Sequence, residues 1–427
     1  LPAFRTTLTS TVSSTGTVLD TLVVFQFDKD STYDAATNAC GTLVLLLKGI
    51  TSANSSRYFD IYFDATGGTF ARPSFPGTIS ITDTASYQGQ ATYIITTPLA
   101  KYFYHKLGGG FASMMDTTGR DWISYHPGGG SSGEYHGIPN LGPVAHPGYV
   151  NATSRLISQG PLKATILSQT VDSAWLWQWD FFPEYARLTL HRRGDTYWIL
   201  YEGTPGGVLN VPGDFWVRSP GIRLDVSEQW VGELPAPEWV YFGDVAMRRV
   251  LYLSKHEDDN AGDQYWQLEN NMTVFGFGRQ FQCCDRYLTA VPMHLTIGFA
   301  EDSVAALATL SGSSRDLNVS LGSPSTTGVR AYDNILPVKF ALEQNYPNPF
   351  NPTTKIRFAI PSRGEESVVT LKVFDVLGRE MKTLVDEPLG AGTYEVTFDA
   401  AELATGVYFY RLQAGKYNAA RKLLVTR

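Results

Sequence analysis

Cysteine is scarce in this chain: Cys40, Cys283 and Cys284 are the only three in 427 residues. Three thiols exclude a disulfide-built scaffold and a four-cysteine zinc site. Cys40 can bridge to Cys283 or to Cys284, which leaves one thiol over, and a bond within the adjacent pair would be strained; buried thiols account for the residues equally well. Charge is sparse too, at 18% of residues, and leans acidic, with a net −7. Residues 339–427 hold 12 Lys+Arg against 10 Asp+Glu, so the first 338 carry −9. No basic stripe stands out, which argues against a nucleic-acid partner. Long apolar runs are missing as well. LVVF and LVLLL have strand length, far below the roughly 18 residues of a membrane-spanning helix. The opening LPAFRTTLTS has neither the charged region nor the apolar core of a signal peptide. Nothing reads as H-E-x-x-H, a nucleophile elbow or a phosphate loop, and no cofactor is implied.

What the chain does have is glycine (40), proline (23) and aromatic residues (13%) within a 43% hydrophobic composition. That mixture favours turn-rich β structure, and the length suits about three domains. The expected fold is all-β, three β-sandwich domains in series. TLVVFQFD, GTLVLLLKG, RYFDIYFD, GTISITD and ATYIITTP alternate as strands and predict an N-terminal sandwich over residues 1–98. Longer strands follow in a large sandwich over 99–320, with one helix near 303–310. LGSPSTTGVRAYDNILP reads as a linker, placed at 321–336.

The run QNYPNPFNPTTKIRF sets Pro347, Pro349 and Pro352 just ahead of a strand-like alternation. Each proline fixes φ and biases the residue before it towards extended backbone, so the run reads as a stiff approach to a last domain, 337–427. Strands are expected at 355–360, 367–374, 394–398, 407–412 and 422–426, spaced as in a small sandwich. Together with VTLKVFDVLGREMKTLV, AGTYEVTFDAAELATGVYFYRLQAG and KLLVTR, the region resembles the type IX secretion C-terminal sorting domain. The resemblance implies an immunoglobulin-like sandwich on an exported bacterial protein, extracellular or at the cell surface, handled by the type IX export machinery. Export also requires a signal peptide, so Leu1 is expected to be the mature N-terminus. In the middle region, a glycine-led strand, a D-x-x-G turn, GPLKATI and WDFFPEYA resemble the large sandwich of galactose-mutarotase-like carbohydrate-active proteins.

Candidate chemistry concentrates in the middle region. His105, His126, His136, His146 and His191 share it with Asp121, Tyr125, Glu134, Arg193 and Glu202. Polysaccharide cleavage needs either a carboxylate pair or a Tyr/His acid and base beside a neutralising Arg, which selects Tyr125, His126, Glu134, His136 and Arg193. The same histidines can instead serve loop hydrogen bonds around Gly128 to Gly130 and Gly137. Trp175, Trp177 and Trp179 alternate on one strand, so they form either a sugar-stacking row or a core wall. Glu257, Asp258, Asp259 and Asp263 offer oxygens to calcium without an EF-hand pattern, and a solvated turn explains them as well. Asp-Ser/Thr-apolar triplets resemble bacterial O-glycosylation sites at Thr21, Thr84, Thr117 and Ser303. The reading that results is an exported extracellular or surface protein, non-enzymatic, self-assembling or adhesive, glycosylated or glycan-binding. Its rival is a carbohydrate-active lyase or hydrolase with its site in the middle domain.

Overall fold

The computed structural model describes residues 11–12, 17–18, 23–34, 40–46, 57–58, 75–142, 144–280, 285–303, 306–307, 312, 329–333, 339–361 and 367–426. They fall into two compact units, one mainly of residues up to 317 and one mainly of residues from 318 on.

In the first unit, alternating apolar residues and tight turns build two antiparallel nine-stranded sheets. The first runs, in spatial order, Trp230–Gly232, Asp263–Leu268, Met272–Phe277, Ile199–Gly203, Gly137–Asn140, Gly110–Asp116, Ala100–His105, Gln90–Thr96 and Ser80–Tyr87. The second runs Ala152–Gln159, Ala164–Thr170, Leu176–Phe181, Tyr185–Arg192, Met293–Glu301, Arg249–Lys255, Trp239–Asp244, Asp214–Arg218 and Ile222–Asp225. Side chains alternate across each strand, so each sheet has one face for the shared core. Trp179 meets Phe111 with ring centroids 4.4 Å apart, and Trp216 stacks on Tyr265 at 4.2 Å. Trp177 donates to the Gly109 carbonyl at 3.0 Å. Gly109 has φ 68°, and a Cβ there would lie 2.2 Å from the Trp177 ring, so only glycine fits.

Two expected boundaries need correction. Gln90–Thr96 pairs directly with Ala100–His105, so the break expected at Pro98 is a hairpin turn inside one sheet. Thr97 closes it, its hydroxyl accepting the Ala100 amide at 3.1 Å. Ahead of this sheet, the described N-terminal residues form a hairpin of Phe25–Lys29 with Gly41–Leu45. The Gln26 amide clips it to the first unit, accepting from the Leu162 and Lys163 amides and donating to the Lys163 carbonyl at 2.8 to 2.9 Å. RYFDIYFD lies mostly outside the described residues. The linker is the second correction, because Val329–Asp333 is a strand paired with Gly392–Asp399. At the expected helix, the Ser303 hydroxyl accepts the Ala306 amide as an N-cap, and helical backbone is described only for Ala306, Leu307 and Gly312.

The second unit is a sandwich of two four-stranded sheets. One runs Val329–Asp333, Gly392–Asp399, Thr353–Ile360, Ala341–Leu342, and the other Glu380–Leu389, Ser367–Phe374, Gly406–Ala414, Tyr417–Val425. Its core includes Ile356, Phe358, Leu371, Val396, Phe398 and Tyr410. The all-β expectation holds in both units.

Candidate functional site

Of the four loop residues expected to act together, two are buried in the loop and two are exposed on it. His136 is buried, with Nδ1 against the Ile123 carbonyl and Nε2 3.0 Å from the Ser131 carbonyl. Tyr125 is buried edge-on to His105 and His146, with centroids at 5.4 and 6.0 Å. His126 and Glu134 are exposed on the same loop. Arg193 does not join them, since its Nε donates to the Thr289 carbonyl at 2.6 Å. His105 and His146 also hold the loop, Nδ1 of His105 meeting the Pro147 carbonyl at 2.5 Å and Nε2 of His146 the Tyr135 carbonyl at 3.2 Å. His191 stands apart, 3.3 Å from the Gln178 amide oxygen.

The polar centre that does form lies on the face of the first sheet turned away from the shared core. Tyr201 and Ile199 point into the core, so Glu202, Leu200 and Trp198, one residue along, point outwards. Strand pairing brings Gly137–Asn140 alongside, and Asn140 Nδ2 donates to Glu202 Oε2 at 3.0 Å. Nε2 of His146 stands 3.8 Å from the same oxygen. Burial lifts the Glu202 carboxyl to about 7, against the opposing pull of the Asn140 amide and Arg279. Burial likewise pushes His146 down to about 4. Its Nδ1 accepts the Gly148 amide at 3.3 Å, so the neutral ring carries its proton on Nε2, facing Glu202 and the Tyr135 carbonyl. Beyond Glu202, the Arg279 guanidinium lies between Trp198 and Trp266, 4.8 and 4.0 Å from their centroids. A carboxyl that titrates near neutrality can exchange a proton near pH 7, and the flanking Asn140 amide, Arg279 guanidinium and Trp266 indole suit a hydroxyl-rich ligand.

Other expectations resolve differently. Trp175, Trp177 and Trp179 are 5%, 0% and 0% exposed, so the row is a core wall and offers no stacking surface. The acidic run does not converge on one point. Glu257 holds His294 at 2.6 Å, Asp258 is exposed, and buried Asp263 accepts the Gly278 amide at 2.9 Å. Asp259 instead meets Glu233 and Glu238 from the loop between Trp230–Gly232 and Trp239–Asp244, their oxygens within 4.8 Å of one another. Lys255 neutralises that group, 3.0 Å from Glu238 and 2.6 Å from Asp259. Thr117 and Ser303 are exposed, whereas Thr21 and the Thr84 side chain lie outside the described residues. Cys40 is exposed, and Cys283 and Cys284 lie outside the described residues, as does any pairing with them.

The comparisons bear on the second unit. Residues 344–426 match the family described as the secretion system C-terminal sorting domain. The chain carries that sorting domain. It is therefore an exported protein, bound for the cell surface or beyond, and no helix among its described residues is long and apolar enough to cross a membrane. No curated protein matches the chain. Among solved structures, HI1317 is 10% identical over 52% of this chain and 99% of its own, with TM-score 0.37. A family 81 glycoside hydrolase from Clostridium thermocellum is 10% identical over 72% and 34%, at 0.26. PorZ, a surface component of the type-IX secretion system of Porphyromonas gingivalis, is 12% identical over 91% and 64%, at 0.17. Scores this low carry no argument about fold or activity.

Within the sorting domain the proline run is part of the sandwich and not only an approach to it. Asn345 Nδ2 donates to the Pro347 carbonyl at 3.1 Å and to Thr354 Oγ1 at 3.0 Å. Phe350 is 2% exposed, and its amide and carbonyl bond the last strand at Leu424 and Thr426. Prolines remove donors here, and the Asn345, Tyr346 and Phe350 amides donate to the Tyr410 hydroxyl and the Lys355 and Leu424 carbonyls.

Proposed function

We propose that this exported protein binds glycans at the cell surface through the outward face of its first sheet, and that it does so without cleaving them. The observation that carries the reading is the half-buried group Trp266, Arg279 and Asn140, which sets an aromatic ring and planar polar groups over buried Trp198 and Glu202 on the face of the first sheet away from the shared core. Sugars are recognised by that combination, the Trp266 ring meeting C–H faces and the Asn140 amide and Arg279 guanidinium meeting hydroxyls. Hydrolysis calls for two carboxyls across the scissile bond, and the polar partners of Glu202 are Asn140, His146 and Arg279. Self-association belongs to the same proposal. The outward face of the tail leaves Phe409 41% and Val407 37% exposed at one end of a sheet and Val368 58% at the other, and exposed apolar side chains of this kind suit contact between copies. Retention on immobilised neutral glycans, compared for the protein and Trp266→Ala, tests the binding face; equal retention on every glycan removes the reading.

A second reading rests on Glu202 and His146, whose protonation states and 3.8 Å separation suit proton transfer on a bound sugar. Glu202→Gln separates the two. Turnover abolished with binding kept favours chemistry, and binding without any turnover in the parent protein favours recognition.

A further inference from the structure

A cleft of about 310 Å³ opens at the end of the sandwich where strands of both sheets terminate. Arg120 enters it from the turn after Gly110–Asp116, and Met247, Arg248 and Arg249 from the turn between Trp239–Asp244 and Arg249–Lys255. Arg120 leans on the Met247 sulfur at 2.5 Å. Asp116 is on the wall but already committed, accepting from Thr118 and from the Trp122 indole at 3.1 Å. Glu301 faces Arg249 across the strand pair. Among the described residues none of the three arginines forms an ion pair, although the chain as a whole is acidic, with 41 Asp+Glu against 34 Lys+Arg.

We propose that this cleft binds an oxyanion group carried on an acidic glycan, a sulfate ester or a uronate carboxylate, at a site separate from the outward face of the first sheet. Guanidinium forks match both groups in a planar, two-bond geometry that lysine does not offer. The volume stands at the small end of ligand sites, larger than a bare inorganic anion requires and adequate for one substituted sugar ring. Met247 supplies an apolar flank beside the cations.

The test is affinity electrophoresis of the whole protein through gels holding dextran sulfate, polygalacturonate or neutral dextran, at low and high salt. Retardation by one or both polyanions and not by dextran is expected, weakening with salt, and the polyanion that retards identifies the group. Arg248→Ala should weaken binding roughly ten-fold, as the loss of one charge-assisted hydrogen bond implies. Arg155→Ala, exposed on Ala152–Gln159, should leave it unchanged. Should Arg248→Ala prove unstable by tryptophan fluorescence, Arg248→Gln keeps the stem and removes only the charge. Equal retardation of the Arg248 variant and the parent, no retardation by either polyanion, or binding to anionic lipid vesicles alone would overturn the proposal. Trp266→Ala should keep polyanion binding, which separates failure of this site from failure of the sugar face.

Discussion

Glu202→Gln should make the first unit more stable at alkaline pH than its parent, and the advantage should vanish in acid. The carboxyl is wholly enclosed and rises from 4.5 to about 7. Below pH 4.5 both folded and unfolded chains hold the proton, and the group contributes no pH dependence. Between 4.5 and 7 the unfolded chain releases it first, so stability falls as pH rises, and above 7 the loss is complete. At ~1.36 kcal/mol per pH unit, the interval from 4.5 to 7 corresponds to about 3 kcal/mol, of which about 2.5 falls between pH 5 and 8.5. Glutamine keeps an acceptor for Asn140 and cannot ionise. Asp214 and Glu233 are also raised to about 7, chiefly by burial, but they are common to both proteins and cancel in the difference. Urea unfolding followed by tryptophan fluorescence isolates the effect, because all nine tryptophans lie between Trp122 and Trp266 and report on the first unit alone. A variant-minus-parent difference that stays flat within roughly 0.5 kcal/mol over this range would refute the enclosure of Glu202.

Lys255→Met should cost roughly 3–5 kcal/mol, since it strands Glu238, 2% exposed, without its cation; adding Glu238→Gln should recover much of the loss in thermal melts. Trp177→Ala should cost roughly 3–5 kcal/mol as a core cavity, while Trp266→Ala, half-buried on the outer face, should cost far less and lower glycan retention instead. Asn345→Ala frees the proline loop from Pro347 and Thr354, and a loss of roughly 1–3 kcal/mol is expected in the melting of the sorting domain. Peptide mass spectrometry of secreted protein should find sugar mass on Thr117, which is exposed in a turn, more readily than on Ser303, whose hydroxyl caps a helix; bare peptides at both of these and at Thr21 and Thr84 would end the glycosylation idea.

Local alternation made much of the sorting domain readable, and Ser367–Phe374 falls where it was expected. The strand Glu380–Leu389 escaped because EMKTLVDEPL carries four charges and Pro388, a composition that suits an edge strand with one side open to water. Val329–Asp333 escaped for a related reason, its strand character coming from Gly392–Asp399 and not from its own residues. At Pro98 a true break signal was given the wrong rank, because proline marks a hairpin turn as readily as a domain boundary.

The same distinction explains why the candidate site was only half legible. Chain proximity gathered Tyr125, His126, Glu134 and His136, and those residues do lie together, but two of them are buried holding or packing a loop. Glu202 gains its chemistry from partners distant in sequence. Asn140 reaches it through the pairing of Gly137–Asn140 with Ile199–Gly203, and His146 reaches it from the loop that follows. Only the alternation of Trp198, Leu200 and Glu202 opposite Ile199 and Tyr201 was available beforehand, and it shows which residues share a face without showing which face is the core. A buried carboxylate is costly, and burial shifts the balance towards its protonated form. Sheet order and loop closure create that burial here, which makes Glu202, and not the richer histidine segment in isolation, the residue whose removal tests what the sandwich does.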